Sequence, residues 1–239
     1  MKLALEARTD MLEMVQPFAD FDWILAHKVL EDEGYAKFYK ESDKPRFIDN
    51  SVNEIGEPVS IEDMKKVWGV LGGGYIVAPD WIGDATKTVE AYGKCVEEFG
   101  EENVVGVLQG GTFQEALGCL NVFRGMVAVP YDIGSKKKDP PWLMALRRIL
   151  VVSNIPSDRY IHLLGFTSID ELWWYTNRPN VVSIDTGIPI LLGLQGLDIL
   201  DPLEGKEEPT YNRMDKLELT QDGWTAICRN IALLRRYLP

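Results

Sequence analysis

Short runs rich in β-branched and other apolar residues recur along the chain. Each closes on a polar residue or glycine and is followed by a longer stretch with helical spacing. These runs cover residues 21–26, 46–50, 75–80, 104–109, 126–130, 160–165 and 181–185, with an eighth expected inside 188–199. Helices are predicted between them over 60–71, 84–99, 112–123, 141–150 and 168–176, and a further helix-like segment covers 224–238. Asp84, Thr112 and Ser168 stand where N-caps belong, and Glu171, three residues after Ser168, completes a capping-box pattern. Near-continuous apolar strands alternating with amphipathic helices mean a parallel sheet covered on both faces.

About eight such units in 239 residues suit a compact α/β fold, a closed (β/α)8 TIM-type barrel of roughly 250 residues. The expected layout is one domain over 1–239, with a barrel core over about 21–200 and a C-terminal helical segment over about 213–239. An open, doubly wound sheet is the alternative, but no G-x-G-x-x-G follows the first strand.

Composition adds constraints on setting and partners. With 46% hydrophobic and 26% charged residues, the chain can bury a core without disulfides. Cys95, Cys119 and Cys228 are odd in number, dispersed and in no C-x-x-C pair, which fits a reduced, cytoplasmic setting. Glu6, Arg8 and Asp10 interrupt what would be the apolar core of a leader, and no apolar run approaches the ~18 residues of a membrane span. The expectation is a soluble protein with no membrane partner.

A formal net charge of −12 argues against a generic nucleic-acid coat. The stretch from Gly134 to Tyr160 is nevertheless basic, with Lys136, Lys137, Lys138, Arg147, Arg148 and Arg159 against Asp139 and Asp158. It is either a solvated face or a phosphate-contacting patch.

Catalytic groups of such barrels stand at the C-terminal strand ends. Here those ends read Asp49-Asn50, Asp80, Gln109-Gly110-Gly111, Pro130-Tyr131-Asp132, His162 to Gly165, and Asp185-Thr186-Gly187. A lone strand-end Asp often only caps a turn; several converging on one mouth suggest a site. Two carboxylates can act as nucleophile and acid/base at a glycosidic bond. A further carboxylate and an amide can hydrogen-bond a purine edge, and Gly110 and Gly111 let backbone approach a flat ring. A divalent metal would be the competing use of the carboxylates, whereas His27, His162 and the scattered thiols give no zinc pattern. His162, inside an apolar run, reads first as a core histidine, and neither it nor His27 is assigned to catalysis.

The ordered set I48-D-N-S-V-N-E-I-G56, V77-A-P-D80, V107-L-Q-G-G111, H162-L-L-G165 and V182-S-I-D-T186 resembles the tRNA-guanine (queuine/archaeosine) transglycosylase superfamily. It is closest in form to short virus-encoded or bacterial relatives that act on guanine in DNA. The resemblance spans residues 21–196 and implies a TIM-barrel enzyme that replaces guanine in nucleic acid with a 7-deazaguanine, without a cofactor or metal. It makes Asp185 the nucleophile, at the end of the seventh expected strand, and Asp49 the residue that handles the proton of the incoming base. Asp80, Gln109 and Asn50 become purine-binding residues, with Gly110-Gly111 beneath the ring. The family's Cys/His zinc subdomain is absent, and D-N-S-V-N-E stands where many members carry a D-S-G-G-F-Q type motif.

DNA is therefore favoured over transfer RNA as the polymer partner. Lys136, Lys137, Lys138 and Arg147 are the candidate phosphate contacts, and Trp81, Tyr131 and Trp142 could stack on a base. The setting would be host cytoplasm for a viral member. Trp173-Trp174 and Arg235-Arg236 concern packing, surface charge or a homodimer or partner-subunit interface. The alternatives are a hydrolytic N-glycosidase, an enzyme of free nucleosides or nucleotides, and a catalytically silent purine-binding subunit.

Overall fold

Eight strands run parallel: β1 (Lys2–Leu5), β2 (Asp22–Leu25), β3 (Arg46–Asp49), β4 (Tyr75–Val77), β5 (Val104–Val107), β6 (Val127–Pro130), β7 (Ile161–Leu164) and β8 (Val181–Thr186). The computed structural model describes residues 1–134, 139–165, 168–200 and 214–239. Ladder neighbours follow chain order from β2 to β8, and β8 then pairs with β1, placing Ala4 opposite Asp185 and Leu5 opposite Thr186. With helices between the strands, this is a nearly closed (β/α)8 barrel of the TIM type.

The closure has one seam. No ladder hydrogen bonds join β1 to β2. Asp20 covers the free edge instead: its N–H donates to the Leu3 carbonyl at 2.7 Å, and its Oδ2 accepts from the Leu3 N–H at 2.8 Å. These bonds satisfy Leu3 without a neighbouring strand, and further along the edge the Leu5 carbonyl accepts from Gln16 Nε2 at 2.9 Å.

The apolar runs form strands because both faces are covered: β2, β5, β6 and β7 are buried along their whole length. The interior below the mouth holds a layer of rings from β2, β3 and β7. Trp23 stacks on His162 with ring centroids 4.7 Å apart, and Phe47 lies 6.1 Å from each of them. Outside, the Ile61–Leu71, Ala85–Phe99 and Phe113–Gly118 helices start at Ser60, Asp84 and Thr112, whose side chains accept N-cap hydrogen bonds. Thr112 and Glu115 form a reciprocal capping box. The Pro141–Asn154 and Gln221–Tyr237 helices complete the larger elements of the outer ring.

Two strand expectations need correction. The run inside 188–199 is the Ile188–Leu194 helix, and the missing strand is β1. Every residue of that helix is buried, so it lacks the polar face whose spacing would reveal a helix. Gly193 explains its burial against the C-terminal helix: a Cβ there would stand 2.4 Å from Ile227 Cγ1. Asp185 consequently lies on the eighth strand.

The expected box at Ser168 does not form. Ser168 caps the short Ile169–Leu172 helix, but the Glu171 carboxylate turns inward to Arg148. Among the described residues, no helix is long and apolar enough to cross a membrane.

Candidate active site

β8 alternates its side chains so that Ser183 and Asp185 share one face, and both meet β7 through His162. His162 Nε2 lies 2.9 Å from Asp185 Oδ1, and its Nδ1 lies 2.9 Å from Ser183 Oγ. The Gly165 N–H, where the chain turns off β7, donates to the same Asp185 oxygen at 3.0 Å. Gly165 has φ +71°, and a Cβ there would stand 2.7 Å from Tyr131 Cδ1, so both conformation and packing call for glycine.

The Gly165 carbonyl is held in turn by Arg148 Nη1 at 2.8 Å, which also donates to the Leu164 carbonyl at 3.1 Å. Arg148 is fully buried and makes two 2.6 Å hydrogen bonds to Glu171. Tyr175 adds a 2.7 Å bond to that carboxylate. Burial disfavours the Arg148 cation, but Glu171 more than offsets this and raises its pKa. Arg148 therefore braces the site; it is not available to a phosphate.

The β3 and β1 side of the mouth is built differently. Asp49 ends β3 with 8% exposure, and its Oδ2 accepts from the Ser51 N–H at 2.8 Å. Ser51 is the one non-glycine among the described residues with positive φ, +63°. That conformation turns its N–H back toward Asp49 and stores strain at the strand end. Burial, then the charge of Glu54, raises the Asp49 pKa well above the ordinary range. Burial and proximity to Asp185 push Glu54 up to about 7.

Glu6, just beyond β1, is raised well above its ordinary value by burial and by Glu54, Asp185 and Asp49 in turn. Its N–H donates to the Thr186 carbonyl at 3.1 Å, which ties it to the strand bearing Asp185. Acids facing acids in a shielded mouth retain protons that each would lose in water.

β4 and β5 supply a third group. Asp80, 1% exposed, accepts from Asn50 Nδ2 at 2.8 Å on one oxygen and from Gln109 Nε2 at 2.6 Å on the other. Gln109 Oε1 accepts from the Gly83 N–H at 3.1 Å. Asn50 Nδ2 also reaches the Ala78 carbonyl, and its Oδ1 accepts from the Val52 N–H. Burial lifts the Asp80 pKa to about 6, against the opposing effect of these two amides.

Gly110 has a packing reason to be glycine, since a Cβ would come within 2.7 Å of Glu115 Cβ and 2.8 Å of the Ala116 nitrogen. Gly111 has more room and edges a cavity of about 440 Å³ walled by Phe113, Ile133, Leu150 and Arg147, among others.

The structure thus brings Asp49, Asn50, Asp80, Gln109, Gly110, Gly111 and Asp185 to the C-terminal strand ends. Arg147, on the Pro141–Asn154 helix, is ion-paired with Asp139 beside Gly111's cavity. Lys136, Lys137 and Lys138 lie outside the described residues. Tyr131 packs over Gly165 at the mouth, Trp81 is partly buried, and Trp142 is 65% exposed on the outer helix. Trp173 and Trp174 are exposed as well. Among the described residues, no group of three or more His, Cys, Asp or Glu is arranged to hold a metal ion.

Sequence reasoning missed Glu6, Glu54 and His162 as members of this site. Glu6 was hidden with the overlooked β1. Glu54 sits inside the I48–G56 motif without a role of its own. His162 was visible in two-residue phase with the strand end, but only the β7–β8 register brings it opposite Ser183. No family model and no curated protein matches the chain, so the roles of these residues rest on their geometry and chemistry.

Proposed function

We propose that this barrel exchanges guanine for a 7-deazaguanine at a nucleotide of nucleic acid, DNA favoured over transfer RNA, by double displacement on Asp185. The observation that carries the reading is the division of labour among carboxylates at one mouth. Asp185 is held by N–H donors on one oxygen, Asp49 is buried beside other acids, and Asp80 is locked into an amide network. This division supports giving the attack to the first, the proton to the second and the base to the third.

In the first step an Asp185 oxygen forms a bond to C1′ while the C1′–N9 bond breaks, its electron pair leaving with guanine. Asp49, whose burial beside other acids makes it hold a proton more tightly than an ordinary carboxyl, gives the departing base a proton. In the second step Asp49 takes the proton of the incoming base, whose nitrogen attacks C1′ and frees Asp185. Two inversions give net retention. Asp80 accepts from the purine's ring N–H and exocyclic amine, with Gln109 and Asn50 fixing its plane. A base inside a duplex must first be extruded into the mouth.

A second reading uses the same groups on a free nucleoside or nucleotide. The mouth is acidic, Arg148 is buried, and Arg147 already has a carboxylate partner, so a short substrate meets less repulsion than a polyanion.

The test is incubation with labelled guanine or 7-deazaguanines together with DNA, RNA or free guanosine, followed by mass analysis. Label entering DNA is the expected result. Entry into RNA or into guanosine alone would move the substrate, and free base released without incorporation would make the protein a hydrolase. Absence of both binding and turnover with all of these would overturn the reading.

A further inference from the structure

We propose that His162 is the positioning residue of Asp185, holding Oδ1 so that Oδ2 is the oxygen that bonds to C1′. This rests on the base-exchange reading for the reaction, but the His162 contact can be tested without it. Both donors to Asp185, His162 Nε2 at 2.9 Å and the Gly165 N–H at 3.0 Å, converge on Oδ1. Among the described residues Oδ2 accepts no hydrogen bond, while the side chain keeps a small exposure of 7%. A carboxylate rotates easily about its terminal torsion, and two donors on one oxygen remove that freedom. In-line attack at C1′ depends on such alignment.

The ring itself has no freedom to swing. His162 is fully buried, stacks 4.7 Å from Trp23 with planes 14° apart, and meets Ser183 Oγ through Nδ1 at 2.9 Å. A carboxylate oxygen can only accept, so Nε2 carries the hydrogen. In the neutral ring, Nδ1 then accepts from the Ser183 hydroxyl, so the carboxylate sets the tautomer and the serine satisfies the other nitrogen.

The covalent step needs no proton from this histidine. The Oδ2 electron pair forms the bond to C1′, the C1′–N9 pair leaves with guanine, and the proton on the departing base comes from Asp49. His162 keeps its Nε2–H throughout. It does not touch substrate in this scheme and acts through Asp185 alone.

Three variants and one spectrum test the assignment. His162→Phe retains an aromatic ring to stack on Trp23 but removes both hydrogen bonds. It should lower kcat about 10²-fold while leaving KM for the base unchanged. His162→Gln restores a side-chain N–H toward Oδ1 and should recover most of that loss. Thermal unfolding of each variant shows whether the fold is intact.

In the unmodified protein, 15N NMR of the His162 ring should show the Nε2–H tautomer, and Ser183→Ala should disturb the Nδ1 signal. An Nδ1–H tautomer, or a folded His162→Phe with full kcat, would overturn the proposal. An Nε2–H tautomer in a protein that turns over no substrate would sink the exchange reading and the choice of reacting oxygen, leaving only the His162–Asp185 contact.

Discussion

The two flanks of the mouth use the same side-chain chemistry to opposite ends. On the β7–β8 flank every buried charge has a partner. Asp185 receives His162 and Gly165, Gly165 is held by Arg148, and Arg148 is clasped by Glu171 and Tyr175. On the β1–β3 flank, burial raises Glu6, Asp49 and Glu54, and nearby acids add to it, Glu54 first for Glu6 and Asp49, and Asp185 for Glu54. The first arrangement gives a carboxylate with a fixed direction; the second gives a reservoir of protons. What a strand-end acid can do is decided by its second neighbours, not by its position in the barrel.

The comparison is broken most severely by removing the directed carboxylate. Asp185→Ala should lower base exchange by at least about 10⁴-fold, with purine binding retained in equilibrium titration. Normal turnover by that variant would remove Asp185 as nucleophile.

Next comes the brace. Arg148→Met leaves the Glu171 carboxylate buried without its cation and should cost about 3–5 kcal/mol in urea unfolding. Adding Glu171→Leu should restore much of that loss, because the uncompensated charge disappears. Equal instability of the single and double variants would mean the pair contributes mainly by shape.

The opposite flank is sharpened through pH. Glu54, raised from 4.5 to about 7, binds its proton more tightly in the folded state. Its contribution to stability is complete below about pH 4.5 and is lost as pH rises through about 7. Glu54→Gln should flatten that decline by on the order of 1–2 kcal/mol between pH 5 and 8, measured by urea unfolding across the range. An unchanged slope would locate the protons on other groups.

The smallest effect belongs to the backbone that serves Asp49. Ser51→Gly relieves the +63° φ and should stabilise the fold by about 1 kcal/mol. It keeps the N–H that Asp49 accepts, so activity should hold within a few-fold.

How much of this was legible in the sequence follows from what each signal depends on. Strand ends are local, so Asp49, Asp80, Gln109 and Asp185 could be read from apolar runs that stop on polar residues. The N-caps Asp84 and Thr112 were legible for the same reason. β1 is only four residues long and carries too little periodicity to announce itself, and with it went Glu6. The Ile188–Leu194 helix looked like a strand because its burial erased the polar stripe.

Arg148 and Glu171 read as surface charge and cap, and only the tertiary packing of the Pro141–Asn154 helix against the end of β7 joins them. The pairing of His162 with Asp185 depends on strand register. A single strand does not encode its register; its neighbour does.

The seam between β1 and β2 is the one place in the barrel where neighbouring strands share no ladder. Elsewhere, separating two strands breaks a ladder; here it breaks the two hydrogen bonds that Asp20 and Leu3 exchange, with Arg235 bonded to the same carboxylate. Opening at that line moves β1 and Glu6 relative to β3 and Asp49. Amide hydrogen exchange should therefore be fastest, among the eight strands, at Leu3. The bonds that hold this line lie at the start of β1, at the opposite end of the strand from Glu6.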